Sequence, residues 1–524
     1  MTNTVANTIN NYGTMASGAQ GTDVVIGTGV ANPIHFTNFE GGVVNGNISL
    51  RPSLAVVNIV TLYNGSTFNG SILGGGDPSI LNLTGSSGSN TLANATSLFG
   101  TLNKTGDGTW VVNVPSILSS LSSNLAVNVN GGTLVFAANE SSSQTNVSIN
   151  SGGTLQLGQG GTTGWIDNVS VNNGTLAFNR SDNNSYANNI SGSGAVTQLG
   201  TDTTTLTANN SYTSATSISN GTLALSGASA SAASSGVHNN GTFGVSGASS
   251  STPSIQSLDG NGSTILGQNT LTITNANASF GNDYAGVMSG AGGLTISGGT
   301  QGLSGQNIYT GATTVNGGAG LTLSGAIAGA LTNADTTDVN GGTVSGATTN
   351  TGTLTGEDAS FQAVSNNGGS VNLSNSQAGA ITNAQNATFT ASSGTVASAS
   401  NNGMLTLSNG HNVTGNVTNN GTLTLDRASI GGSLAAESGQ FTVTSNNASA
   451  NSLSGDSDAT LDGILTLNNG QDTFAGVMTG SGGLTITGRC GNPDGQQHLF
   501  RPDNNRQWCK PDPRDRRYFR YVRK

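Results

Sequence analysis

The chain has 524 residues, 80 of them glycine, and only 7% are charged, against roughly 25% in ordinary globular domains. Its formal charge of −10 is unevenly placed: up to Gly488 there are 20 acidic and four basic residues (Arg51, Lys104, Arg180 and Arg427), and beyond it ten basic and four acidic. This composition argues against a helix-rich enzyme and gives the acidic body no electrostatic footing for nucleic acid. With five prolines and one lysine, the body also departs from the make-up of disordered chains.

The N-terminus, MTNTVANTINNYGTMASG, has neither a basic n-region nor an apolar h-region, so no Sec signal is expected in it. The most apolar run, Leu54 to Tyr63, is far shorter than the ~20 residues of a membrane-spanning helix. GGGDP, from Gly74, is one fragment of a calcium-binding glycine-rich repeat. That motif works only in arrays, so a solvated turn is the expectation here. Residues 1–99 read as a β-rich region with irregular first coils. The body has no cysteine, which excludes a disulfide scaffold or thiolate metal site in it.

From residue 100 a short phrase recurs. It reads NGGTLVF at Asn130, SGGTLQL at Ser151, NNGTLAF at Asn172, SNGTLAL at Ser219, NNGTFGV at Asn239, NNGMLTL at Asn401 and NNGTLTL at Asn419. Asn-Gly is expected to supply the positive φ of a tight turn. The alternation after it has period two, the mark of a strand with one buried face. Leu134, Leu155 and Leu176 are spaced by 21, and Thr242 follows Thr222 by 20, a coil length that points to a solenoid. The expected fold is all-β: a right-handed parallel β-helix over residues 100–488, on the order of 19 coils in a rod of roughly 90 Å. Leu, Val, Ile and Phe would stack inside, Thr, Ser and Asn would face water, and turn asparagines would form ladders. Antiparallel hairpins are the alternative, because Asn-Gly is also a hairpin turn.

LNKTGDGTWVV (Leu102 to Val112), followed by NVNGGTLVF, resembles the autotransporter-associated β-strand repeat, L-x-K-x-G-x-G-T-apolar and then N-x-Y-T-G-x-T-x-V-x-x-G-T-L. A second copy runs from Gln198, with Ser214 where the family has Gly. A third, GGLTISGGTQGLSGQNIYTGATTVNGGAGLTL, runs from Gly292. The resemblance implies the passenger of a type V secreted protein, exported through an outer-membrane barrel to the cell surface. There it would act as a stalk or adhesin toward an unidentified glycan or protein, by multivalent weak contact along Thr/Asn/Ser rows. As written, the chain is expected to lack both signal and barrel, and so to stay in the cytoplasm.

Parallel β-helices also host polysaccharide lyases and hydrolases, and a carbohydrate-active enzyme is the alternative function. Such enzymes need clustered carboxylates with Lys, Arg or His. Here Lys104 belongs to the repeat motif, and His35, His238 and His411 stand singly in Asn/Gly-rich turns, expected as solvated side chains. Asp456, Asp458 and Asp462 begin like a calcium loop but lack the glycine and terminal glutamate of an EF-hand. SGAGG, from Ser289, precedes a strand-like GLTIS, so no anion-binding helix N-terminus follows. No strand–Ser–helix elbow is apparent. The expectation is a non-enzyme without catalytic, cofactor or metal residues.

DYAGVMSGAGGLTISG, from Asp283, and FAGVMTGSGGLTITG, from Phe474, are near-duplicates 190 residues apart. After Gly298 the repeat continues; after Gly488 a basic segment begins instead. Read one nucleotide out of frame, that segment restores the repeat at the same offset. Gln496 to His498 give residues drawn from Asn or Ser opposite Gln306 and Asn307. Asp503 to Asn505 give Thr or Ile opposite Thr313 and Thr314, and Trp508-Cys509 force Gly opposite Gly318. Residues 489–524 are therefore expected to be out-of-frame translation, disordered, with Cys490 and Cys509 accidental. The rival is a true basic appendage, Arg514, Arg516, Arg517, Arg520 and Arg523 among Tyr518, Phe519 and Tyr521, binding nucleic acid or membrane.

Overall fold

Alternation of apolar and small polar residues makes strands of this chain, and glycine-rich corners let each strand return beside the last. The computed structural model describes residues 6–18, 22–27, 32–50, 56–114, 126–140, 146–166, 168–227, 234–276, 282–445, 447–470 and 472–487. These residues contain strands and no helix, and they wind about 22 turns of parallel β-solenoid. Strand pairs such as Gly132–Phe136 with Gly153–Leu157 and Thr388–Asn401 with Met404–Ser408 are parallel and in register. The hairpin alternative, which needs antiparallel pairs, is excluded. Arg51 and everything after Thr487, including Cys490, Cys509 and the tail arginines, lie outside the described residues.

Two compact units divide near residue 271. In the first, one ladder runs from Asn7–Asn11 through Ile34–Asn38, Ile59–Tyr63, Ile72–Thr84 and Thr96–Lys104 to Val169–Asn172. Regular pairing is thus established well before residue 100, and the strand Thr96–Lys104 runs across the 99/100 division. A second ladder carries Thr109–Val112, Gly132–Phe136, Gly153–Leu157 and Thr175–Phe178. Leu134, Leu155 and Leu176 stack directly, as their spacing requires, and all three are fully buried, each contributing about 1.5–3 kcal/mol. Thr222 pairs with Thr242 in a third ladder. The recurring phrase therefore serves whichever face the chain has reached.

In the second unit Leu354, Val371, Phe389, Leu405 and Leu423 stack at spacings of 16 to 18 residues, tighter than the 20 to 21 expected throughout. One cause is the corner. Asp358, Asn375, Ser393, Asn409 and Arg427 occupy the same place in successive coils, and all adopt left-handed φ between 48° and 56°. A single such residue bends the chain sharply, at a steric cost that Asn and Asp bear best.

The Asn-Asn-Gly corners depart from expectation. Gly174, Gly241, Gly403 and Gly421 do not take positive φ. A Cβ on any of them would lie 2.2 to 2.7 Å from a carbonyl oxygen of the neighbouring coil. Glycine is required there by close backbone approach rather than by turn φ. The expected positive φ is found at other Asn-Gly corners, Gly221 and Gly341, and in the Gly-Gly phrases at Gly132 and Gly152.

Candidate functional site

The repeat motif's polar residues turn inward. Lys104 is fully buried at the end of its strand. Its Nζ donates to the carbonyls of Thr105 (2.9 Å), Gly106 (2.7 Å) and Gly131 (2.9 Å), tying two coils at one corner. Burial pushes its ammonium down from 10.5 to about 8, opposed by nearby Asp107. Gln198 stands at the same motif position in the second copy. Its Nε2 donates to the carbonyls of Gly200 and Asp202, both at 3.1 Å.

The N-x-Y-T-x-x-T element works the same way. The Tyr212 hydroxyl lies 2.7 Å from Thr216 Oγ1, and Tyr309 lies 2.5 Å from Thr313 Oγ1. Both rings are buried. Burial raises the Tyr212 phenol to about 12, against its hydrogen bond with Thr216, and raises Tyr309 in the same way. Asn210 Oδ1 accepts the Ile190 N–H at 2.9 Å, and Asn307 Oδ1 accepts that of Met288 at 2.9 Å. The asparagines staple one coil to the previous one and the Tyr–Thr pairs brace the corner within a coil, satisfying buried polar groups that would otherwise cost stability.

The second unit repeats a single device. Asn333, Asn350, Asn366, Asn383, Asn401 and Asn419 are buried in successive coils. Each Nδ2 donates to the next Oδ1, at 2.7, 2.9, 3.0, 2.8 and 2.7 Å. The same amides also reach backbone carbonyls, as Asn383 does with Ala387 and Met404. In N-N-G, then, the first Asn is a ladder rung, the second faces outward and the Gly permits close stacking.

The histidines differ from expectation. His35 and His238 lie on strands, Ile34–Asn38 and Val237–Asn239, rather than in turns. His411 is completely buried, in the row of Ser376, Gly394 and Ala428, whose small size leaves it room. Its Nδ1 meets the Ser393 carbonyl at 3.0 Å, and its Nε2 is a buried atom with no partner. Burial holds its pKa below 6.5, opposed by the Ser393 bond.

His238 Nδ1 lies 2.9 Å from Asp259 Oδ1 and its Nε2 lies 2.8 Å from Asn240 Nδ2. Sequence reading missed this pair, although its separation is one 21-residue coil. Also missed was Arg180, buried over the Trp165 ring and bonded to Asp182, Asn139 and the Thr162 and Gly164 carbonyls. Its signal was only the Arg-x-Asp spacing.

Asp458 Oδ1 accepts the Val477 N–H at 3.1 Å and Asp462 Oδ1 that of Ser481 at 3.4 Å, so both brace the following coil. Asp456 is exposed. Among the described residues no three His, Cys, Asp or Glu side chains converge as a metal site would need. Gly74 to Pro78 lie within the strand Ile72–Thr84, not in a turn. Ser289 and Gly290 end one strand, and Leu294 begins another.

What faces outward is regular. Thr355, Asn372, Thr390, Thr406, Thr424, Thr442 and Thr460 form one register row. Thr353, Ser370, Thr388, Met404 and Thr422 form a second beside it. In the first unit an open groove of about 310 Å³ is lined by Gly153, Thr154, Asn173, Gly174, Ser193 and Gly194 among others. No family model matches the chain, and neither a curated protein nor a solved structure does.

Proposed function

We propose that this chain is a passenger segment of a surface-exposed, type V secreted protein, acting without catalysis as a stalk or adhesive surface. The repeat resemblance supplies the class. The observation that supports it best is the division of labour within each coil: motif Lys, Tyr and Asn side chains are used in stacking, and rows of hydroxyls and amides remain for contact. Adjacent rungs are about 4.8 Å apart, so a repetitive ligand meets many weak, equivalent contacts at once.

The test is binding of the purified protein to surfaces coated with mucin, plant polysaccharide or extracellular-matrix protein. The triple variant Thr390→Asp, Thr406→Asp, Thr424→Asp should abolish binding while leaving the circular dichroism spectrum unchanged. Binding that survives it would refute the row as the contact surface. The paired His238 and Asp259 favour a second reading, a carbohydrate-active enzyme. Release of reducing ends from a polysaccharide, lost in His238→Ala, would establish that reading over the first.

A further inference from the structure

We infer that Asn316 and Asn367 are sites of spontaneous succinimide chemistry, set apart by structure from most other Asn-Gly pairs among the described residues. The reaction needs the following glycine's backbone nitrogen as nucleophile. Solvent base removes its proton, the nitrogen bonds to the asparagine Cγ, and Nδ2 leaves as ammonia. Water then opens the five-membered ring at either carbonyl, giving aspartate or isoaspartate. A glycine amide already committed to a carbonyl must first break that bond, and an asparagine amide held by a neighbour must leave it.

Most Asn-Gly pairs here are held in one of these ways. The Gly341 N–H donates to the Glu357 carbonyl at 2.8 Å and the Gly410 N–H to that of Arg427 at 2.9 Å. Asn409 Oδ1 accepts from Arg427, and Asn402 Oδ1 from Asn420. Asn173 Oδ1 accepts from the Ser193 backbone, and Asn130 Oδ1 from Asn150.

Asn316 and Asn367 are free on both counts. Each sits at an exposed corner, the first after the strand Thr313–Val315 and the second after Ser360–Asn366. The Asn316 corner is held by its flanks: Ala319 N–H donates to the Asn316 carbonyl at 3.1 Å, and Gly318 N–H to Asp335 Oδ2 at 2.5 Å. The Asn367 corner is held by Asn367 N–H on Asn350 and Ser370 N–H on Gly352, both at 2.8 Å. In each case the intervening glycine amide is left over. Gly317 and Gly368 have open space around them and ordinary negative-side φ. The product adds a carboxylate to the corner, and the isoaspartate form adds a methylene to the main chain. At Asn367 the altered residue directly follows the ladder rung Asn366.

The experiment is ageing of the full chain in mildly alkaline buffer, followed by peptide mapping and isoaspartate-specific enzymatic methylation. Asn316 and Asn367 should convert about tenfold faster than Asn340 and Asn409, the factor that one backbone hydrogen bond gives in a rate. Gly317→Ala and Gly368→Ala, which meet no neighbour, should each suppress conversion at their own site. In urea the difference between sites should vanish. Equal rates in the folded protein, or a site difference that persists in urea, would overturn the inference.

Discussion

The coils around Lys104 and those around Asn383 solve the same problem in different ways. Both must satisfy carbonyls and amides where strands turn inside a narrow core. In the first unit, register partners Thr109 and Thr133 are 24 residues apart, and Leu134 and Leu155 are 21. Those corners are satisfied one at a time, by Lys104, Gln156 or Arg180. In the second unit coils of 16 to 18 residues bring identical corners into line, and one residue type serves six in a row. A regular coil lets a single device propagate, and an irregular coil needs a separate one at each corner.

The largest expected effect comes from the contrast between two glycines of the second unit. In Gly421→Ala the new Cβ would lie 2.2 Å from the Gly403 carbonyl oxygen, with only backbone around it. Coils must separate to admit it, at about 3 kcal/mol, read as a lower urea midpoint. Gly317→Ala, with nothing in reach, should leave the midpoint unchanged or slightly raised.

Next is the ladder itself. Asn383→Ala removes an interior rung and strips donors from the Ala387 and Met404 carbonyls. It should cost about 2 kcal/mol. Asn419→Ala, at the ladder's last rung, should cost about half of that. Equal costs would mean that the rungs act singly rather than as a chain.

Lys104→Met sharpens the comparison from the other side. It should cost about 1 kcal/mol at neutral pH, because lost carbonyl bonds are partly offset by removal of a buried charge. Its pH dependence is the clearer readout. The unfolded chain keeps this proton up to 10.5 and the folded chain releases it near 8. The unfolded state therefore binds more protons in that window, and wild-type stability should climb as pH rises through it. The Lys104→Met variant should lack that climb in a denaturant titration.

The smallest effect is at His411. Its folded pKa lies below 6.5, so the unfolded state binds more protons once pH drops beneath that value, and stability falls with it. His411→Leu should abolish the acid loss between pH 6.5 and the carboxylate range while changing little at neutral pH. A wild-type midpoint that stays flat on acidification would contradict the burial of this ring.

Much of this architecture was legible in the sequence. The spacing of Leu134, Leu155 and Leu176 gave coil length and register, because identical residues stack only when coils are equal. The shorter coils of the second unit were harder to read, since Asp358, Asn375, Ser393, Asn409 and Arg427 share a backbone conformation but no side-chain type. The role of glycine in N-N-G was misread for a related reason. Close approach and positive φ select the same residue, and only the neighbouring coil distinguishes them. The burial of His411 depended on Gly394 and Ala428, residues one coil away in each direction. Likewise the pairing of His238 with Asp259 needed the register of two coils, which local motifs do not carry.

The most direct test of the account is disulfide cross-linking along the outward row. Thr390 and Thr406 are register partners on adjacent coils, and Thr424 lies one coil further on. With Cys490 and Cys509 replaced by serine, Thr390→Cys with Thr406→Cys should oxidise to an intrachain disulfide, since adjacent rungs fall within the span such a bond bridges. Thr390→Cys with Thr424→Cys should not, because two rungs exceed it. Cross-linking of the second pair, or of neither, would contradict the stacked outward rows on which both the fold and the proposed function rest.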